Sequence, residues 1–183
     1  MSPSDTHRAV EAVWRIESAK IIAGAARIVG ELGLAEELAQ EAFVVALERW
    51  PESGVPDNPG AWLMTVAKRR AIDRLRRRAT LQRKHEQLGR QLEIEQAGSG
   101  PDPEDSVDQP IGDDLLRLIF TACHPVLPTE GRVALTLRLL GGLTTEEIAR
   151  AFLASTPTIA QRIVRAKRTL AEAHVPFEVP RGA

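Results

Sequence analysis

Apolar side chains in this chain recur with the period of a helix and nowhere with the period of a strand, which constrains the fold more than any other feature. From Asp5 to Val29 the residues Val10, Val13, Trp14, Ile21, Ala25 and Ile28 fall mostly at intervals of three, four or seven. That spacing makes one buried stripe on an amphipathic helix. Gly30 and Gly33 suit its C-terminal cap. A second helix is expected from about Leu34 to Trp50, with Leu38, Ala42, Val45 and Leu47 inward and Glu36, Glu37, Gln40 and Glu41 on the other face. Pro51, Gly54, Pro56 and Pro59 then impose a loop. Asn58 before Pro59 reads as an N-cap followed by proline at the first helical position. The third helix continues from Pro59 to about Arg90 on the stripe Trp62, Leu63, Val66, Ala67, Ala71 and Leu75. Helices from about Asp113 to Cys123 and from Thr129 to Leu140 precede a compact helical pair. There is no Asn-Gly or Asp-Gly hairpin signal and no internal repeat. The predicted fold is all-α.

Charge divides the same chain differently. The net charge of −1 hides strong segregation. Residues 1–57 carry 5 basic and 10 acidic side chains, and residues 68–90 carry 10 basic and 2 acidic. Residues 93–114 then hold 8 acidic groups with no Lys or Arg, and residues 115–183 hold 9 basic and 5 acidic. Crowded like charges repel, so each block points to a partner outside itself, and two cationic blocks point to phosphate. Residues 95–112, EQAGSGPDPEDSVDQPIG, lack apolar periodicity and are rich in Gly, Pro, Ser and Asp. They read as a flexible acidic linker. The expected organisation is a helical domain over 1–92, a linker over 93–112 and a second helical domain over 113–183.

Several classes are set aside. With 43% hydrophobic and 27% charged residues the composition is that of a soluble globular protein. The apolar stretches are broken well short of the ~20 residues a bilayer requires. Met1 to Val10 is polar and lacks a signal-peptide layout, so a cytoplasmic protein is expected. The single cysteine, Cys123, allows no intramolecular disulfide and no zinc site built on thiolates alone. Cys123 and His124 are adjacent but point apart on a helix, and no second cluster supplies missing ligands, so a helix-end role is expected. Capping explains Glu146 and Glu147. Trp14, Trp50 and Trp62 are most simply core residues. No GxxxxGK[ST] or HExxH motif occurs. No catalytic residue, metal or cofactor is expected, and the chain does not read as an enzyme.

The stretch GGLTTEEIARAFLASTPTIAQRIVRAKRTL is the most informative. Gly141 and Gly142 end the preceding helix, and Thr144 with Glu147 makes a capping box. Ile148, Ala149 and Phe152 form a short apolar face, and Leu153 to Ser155 form a turn. Thr156 can cap the next helix, with Pro157 at its first position. On that helix Ile159, Ile163, Ala166 and Leu170 pack inward. Thr158, Gln161, Arg162, Arg165 and Arg168 fall on or beside the opposite side, and residues 156–168 contain no acidic group. This is the pattern of a helix-turn-helix. Its second helix can enter a major groove, where Arg and Gln read base edges and Thr meets phosphate or a thymine methyl. In the first domain, AWLMTVAKRRAIDRLRRR crowds Lys68, Arg69, Arg70, Arg74, Arg76, Arg77 and Arg78 around the single acid Asp73, which suits a helix that tracks phosphates.

At this point the chain resembles the extracytoplasmic-function (group IV) RNA polymerase sigma factors. AEELAQEAFVVALERW (35–50) is similar to their A-E-D-L-x-Q-E-x-F helix, and PGAWLMTVAKRRAIDRLRRR (59–78) to their P-x-A-W-L-x-x-I-A-x-N-x-A-I-D-x-x-R-R helix. Residues 143–170 are similar to their last domain. The resemblance implies a sigma-2-like domain, a linker and a sigma-4-like domain. It implies that Glu37, Gln40 and Glu41 contact the clamp helices of the beta-prime subunit of core RNA polymerase, whose beta flap would be a second partner. The loop from Pro51 to Asn58 would hold a base flipped from the promoter −10 element, with Lys68, Arg69, Arg74 and Arg76 on that DNA. Thr156, Thr158, Gln161, Arg162, Arg165 and Arg168 would meet the −35 element.

Three positions depart from the family pattern. Glu37 stands where Asp is common, Arg69 where Asn is common, and Ala160 where a basic residue is common. LIFTACHPVLPTE and the AFLAS turn resemble a subgroup with a C-terminal helical extension. The chain stops at Val179–Ala183, about where that extension begins, so a piece of a longer protein is expected. Regulation by an anti-sigma factor, by the extension or by neither stays open. The alternative reading is a stand-alone helix-turn-helix regulator that dimerises through its N-terminal helices.

Overall fold

A computed structural model describes residues 3–89 and 111–180 of the chain, with side chains placed over 5–83 and 113–180. Among these residues there are seven helices and no strand: α1 (Pro3–Val29), α2 (Leu32–Ser53), α3 (Pro59–Gly89), α4 (Ile111–Ala122), α5 (Thr129–Leu139), α6 (Thr145–Ala151) and α7 (Thr156–Glu172). The acidic linker expected over 93–112 lies outside the described residues, apart from the first two residues of α4.

Local chemistry sets the helix ends. α1 stops at Gly30, whose N–H reaches Ala26 O at 2.8 Å with φ at +70°, a conformation glycine adopts without steric cost. Gly33, read as part of that cap, instead lies in the first turn of α2. Pro51, expected to open the loop, lies inside the last turn of α2. Near a terminus a proline removes only one ladder bond, and Ser53 Oγ donates to Arg49 O at 3.0 Å beside it. The loop therefore shortens to Gly54–Asn58. α3 starts as expected, with Asn58 Oδ1 accepting from the Ala61 N–H at 3.0 Å.

The first three helices bury Ile21, Ile22, Leu38, Trp50 and Leu63 among themselves. Trp14 meets Phe43 edge-on at 4.6 Å, and Trp50 meets Trp62 at 5.5 Å, so all three tryptophans pack on the core. Helices α5 to α7 bury Leu135, Leu139, Ile148, Ile159, Ile163 and Leu170, while α4 supplies Leu118 and Ala122. Each large aliphatic side chain so buried contributes roughly 1.5–3 kcal/mol.

The two modules, on either side of the expected linker, share one continuous core, with α4 laid against α1. Charged pairs line the seam. Glu36 receives Lys167 Nζ at 2.5 Å and Arg138 Nε at 3.3 Å. Arg27 lies 3.4 Å from Asp114, which also takes Arg117 at 2.9 Å. Arg15 lies 3.6 Å from Glu147. At the turn after α5, Gly142 has φ +64°, and a Cβ there would stand 3.5 Å from the backbone oxygen of Arg15, so the seam is close as well as charged.

Two carboxylates expected at the surface are buried. Glu36, placed on the outer face of α2, is only 4% exposed, and Asp114, counted with the linker acids, is only 2% exposed. Helical period shows which side chains leave the local apolar stripe, but not whether a second module brings cations to cover them. Burial raises the Asp114 carboxyl above the ordinary carboxylate value, against the opposing pull of Arg27, then Arg117 and Lys68.

Candidate nucleic-acid interface

The helix-turn-helix forms from the predicted residues. Thr144 accepts the Glu147 N–H at 3.1 Å, and the Glu147 carboxylate takes the Thr144 N–H at 2.8 Å. This capping box holds the Glu147 carboxyl below its ordinary value, through the Thr144 backbone bond first and its hydroxyl second. Ile148 and Ala149 are buried, but Phe152, assigned to the same face, ends α6 and is 47% exposed. The N-cap of α7 is Ser155 instead of Thr156: its side chain accepts the Thr158 N–H at 3.3 Å, and Pro157 moves to the second helical position. Ser155 has the extended backbone a cap requires, whereas Thr156 is already helical.

α7 presents the expected two faces. Ile159, Ile163, Ala166 and Leu170 are all buried. Thr156, Thr158, Gln161, Arg165 and Arg168 are exposed, and Arg162 is half-buried at the edge. Arg168 pairs with Glu172 one turn on, which raises its pKa. The helix-turn-helix thus brings together one outward strip able to donate to phosphates and base edges. Val164 is 62% exposed beside that strip and was not singled out from sequence, although its absence from the buried stripe was readable.

α3 divides its cations. Arg69 and Arg76 are exposed, as is every described residue from Arg76 to Arg83. Arg70 and Arg74 turn to α2, where Arg70 meets Glu41 at 2.5 Å and Arg74 meets Glu37 at 3.1 Å. Lys68 is half-buried near Asp114. The residues assigned to one DNA contact therefore split between solvent, α2 and the seam.

The acidic face of α2 keeps Glu37 and Gln40 exposed and Glu41 half-exposed. Gln40 also donates to Glu36 at 3.3 Å, which ties this face to the seam. At the start of the loop Gly54–Asn58 the Gly54 N–H reaches Trp50 O at 3.0 Å, and Val55 packs on the core. Cys123 approaches the Thr136 hydroxyl at 3.5 Å, and His124 Nδ1 accepts the Val126 N–H at 3.3 Å, both at the end of α4. Among the described residues no group of three or more His, Cys, Asp and Glu could hold a metal, and no helix is long and apolar enough to cross a membrane.

A helix-turn-helix with an outward cationic helix, joined to a helical module with a second one, defines the class as sigma-70-type DNA-binding proteins: residues 17–80 match Sigma-70 region 2, and residues 117–170 match Sigma-70, region 4. Within that class the chain belongs to the extracytoplasmic-function (ECF) RNA polymerase sigma factors. It is 34% identical over 150 residues to the ECF RNA polymerase sigma factor SigK of Mycobacterium bovis BCG, covering 79% of this chain and 74% of SigK. It is 30% identical over 173 residues to the probable ECF RNA polymerase sigma factor SigI of Mycobacterium tuberculosis, covering 94% of this chain and 58% of SigI. An uncharacterized protein of Rhizobium meliloti is 41% identical over 155 residues, 81% of this chain and 35% of its own length. The chain thus spans between a third and three quarters of these relatives.

Proposed function

We propose that the chain is a promoter-specificity subunit: it binds core RNA polymerase and directs initiation at promoters read by α7 and α3. The observation that carries this reading is the occurrence, in one chain and in family order, of a region 2 and a region 4, each with a cationic helix turned outward. In this role α7 reads the −35 element through Thr158, Gln161, Arg162, Arg165 and Arg168, with Thr156 at its phosphate end. Lys68, Arg69, Arg74 and Arg76 meet the −10 region, Arg74 once its contact with Glu37 is displaced. The loop Gly54–Asn58 receives an unpaired base, and Glu37, Gln40 and Glu41 dock on a basic polymerase surface. The role asks for no covalent chemistry from the chain, and it places the protein in the cytoplasm with the chromosome.

The element names set the two DNA sites roughly 25 base pairs apart, about 85 Å of duplex. Here α7 reaches α2 at Glu36 and α3 reaches it at Glu37 and Glu41, residues that span only about 8 Å of helix axis. Reading both elements together therefore requires the seam to open. The 21 residues between Gly89 and Ile111 can reach about 70 Å when extended, so the connection allows it. Transcription by purified core polymerase with and without this chain, on a library of promoter fragments, tests the proposal. Initiation at a distinct set of fragments supports it; a chain that neither binds core polymerase nor changes its start sites refutes it.

A further inference from the structure

The exposed surface of α7 is divided lengthwise. One strip carries Thr158, Gln161, Arg165 and Arg168; beside it run the exposed Pro157 and Val164 with the half-buried Ala160 between them, three and four residues apart and free of charge. Val164 is 62% exposed although its neighbours Ile163 and Ala166 are fully packed. Scattered surface valines need no explanation, but this one stands one turn from Gln161 and Arg168, in the middle of the helix and directly beside the strip built for hydrogen bonds. In a major groove the one apolar feature a base pair offers is the thymine 5-methyl group. A Val side chain with two free methyls, flanked by polar groups that fix the register, is shaped to cover such a methyl and cannot satisfy a donor or acceptor.

We infer that Val164 is a specificity-determining residue that selects a thymine at one position of the upstream promoter element by packing on its 5-methyl group. The inference rests on the function proposed above and adds to it a base that no hydrogen bond reads. Ala160 beside it keeps that part of the groove free of a long cationic side chain, so the methyl contact is not displaced.

The test uses polymerase reconstituted with the full chain. Upstream elements are first selected from random duplexes, and each thymine in the selected element is then replaced by deoxyuridine, which deletes only the methyl. One replacement is expected to weaken wild-type binding about fourfold, the worth of one buried methyl-sized group. In Val164→Ser the thymine and deoxyuridine duplexes should bind alike, and the selected position should lose its thymine preference. Because residue 164 is exposed, unchanged helical content is expected in this variant. Elements without a thymine, deoxyuridine replacements that are silent in the wild type, or methyl sensitivity that survives Val164→Ser would each overturn the inference while leaving promoter direction intact. A reconstituted polymerase that selects no upstream element would instead refute the functional reading, and this inference with it.

Discussion

Replacing Glu36 by alanine should open the seam between the modules. The carboxylate side chain is 5% exposed and is held by Lys167 at 2.5 Å, Arg138 at 3.3 Å and Gln40 at 3.3 Å. Removing one partner of a fully buried pair costs about 3–5 kcal/mol, because the remaining charge stays uncompensated. Lys167 and Arg138 are 24% and 20% exposed, so each can turn partly to water, and Arg138 keeps its bond to Leu143 O. The expected loss is therefore smaller, about 2 kcal/mol. Because α2 lies in one module and α5 and α7 in the other, nearly all of it falls on docking. That is a shift of roughly thirtyfold in the docked-to-open ratio. Energy transfer between a dye on Cys123, which is exposed, and one on an introduced Glu48→Cys would read the change. Glu36→Ala should populate a low-transfer state, and Glu36→Ala with Lys167→Ala should be less open than the sum of the two single effects, since the unpaired cation is gone. If the transfer distribution of Glu36→Ala matches that of the wild type, the seam does not depend on this carboxylate and the reasoning fails.

The Glu147 carboxyl is held below its ordinary value in the folded chain, so its contribution is present above that value and is lost as pH falls through the folded pKa. Urea unfolding from neutral pH downward should show this acid loss, and Thr144→Ala should reduce it while costing about 1 kcal/mol of cap stability. Arg165→Ala should weaken binding to a selected upstream element by roughly 1–3 kcal/mol and relax the preference at one base pair, as competition between duplexes would show. Glu37→Lys should impair association with core polymerase at unchanged helicity, because its contact with Arg74 is an exposed one worth little. Glu41→Lys is the poorer probe, since Glu41 is less exposed than Glu37 and meets both Arg70 and Arg74.

Docking of the modules also changes how the charge blocks are understood. From sequence, ten basic groups over 68–90 beside eight acidic ones over 93–114 read as surfaces waiting for outside partners. In the folded chain Arg70 and Arg74 already have Glu41 and Glu37, and Asp114 already has Arg27 and Arg117. Arg69 and the cations from Arg76 to Arg83 on α3, and Arg165 and Arg168 on α7, stay exposed.

The sequence by itself determined the helices, the Asn58 cap, the capping box of Thr144 and Glu147, and the buried stripe of α7. Each depends on residues within four positions of one another, where helical geometry alone decides which groups meet. It also carried the family motifs and hence the class of protein. Only the tertiary structure decided that Glu36 and Asp114 are buried, that Lys68 turns to the seam and that the two modules share a core. Those outcomes depend on partners up to 131 residues away, and a carboxylate on a helix surface has the same local pattern whether water or a distant lysine faces it. The cap at Ser155 and the helical Pro51 belong with these, because a shift of one to three residues at a helix end turns on small backbone differences that the surrounding packing settles.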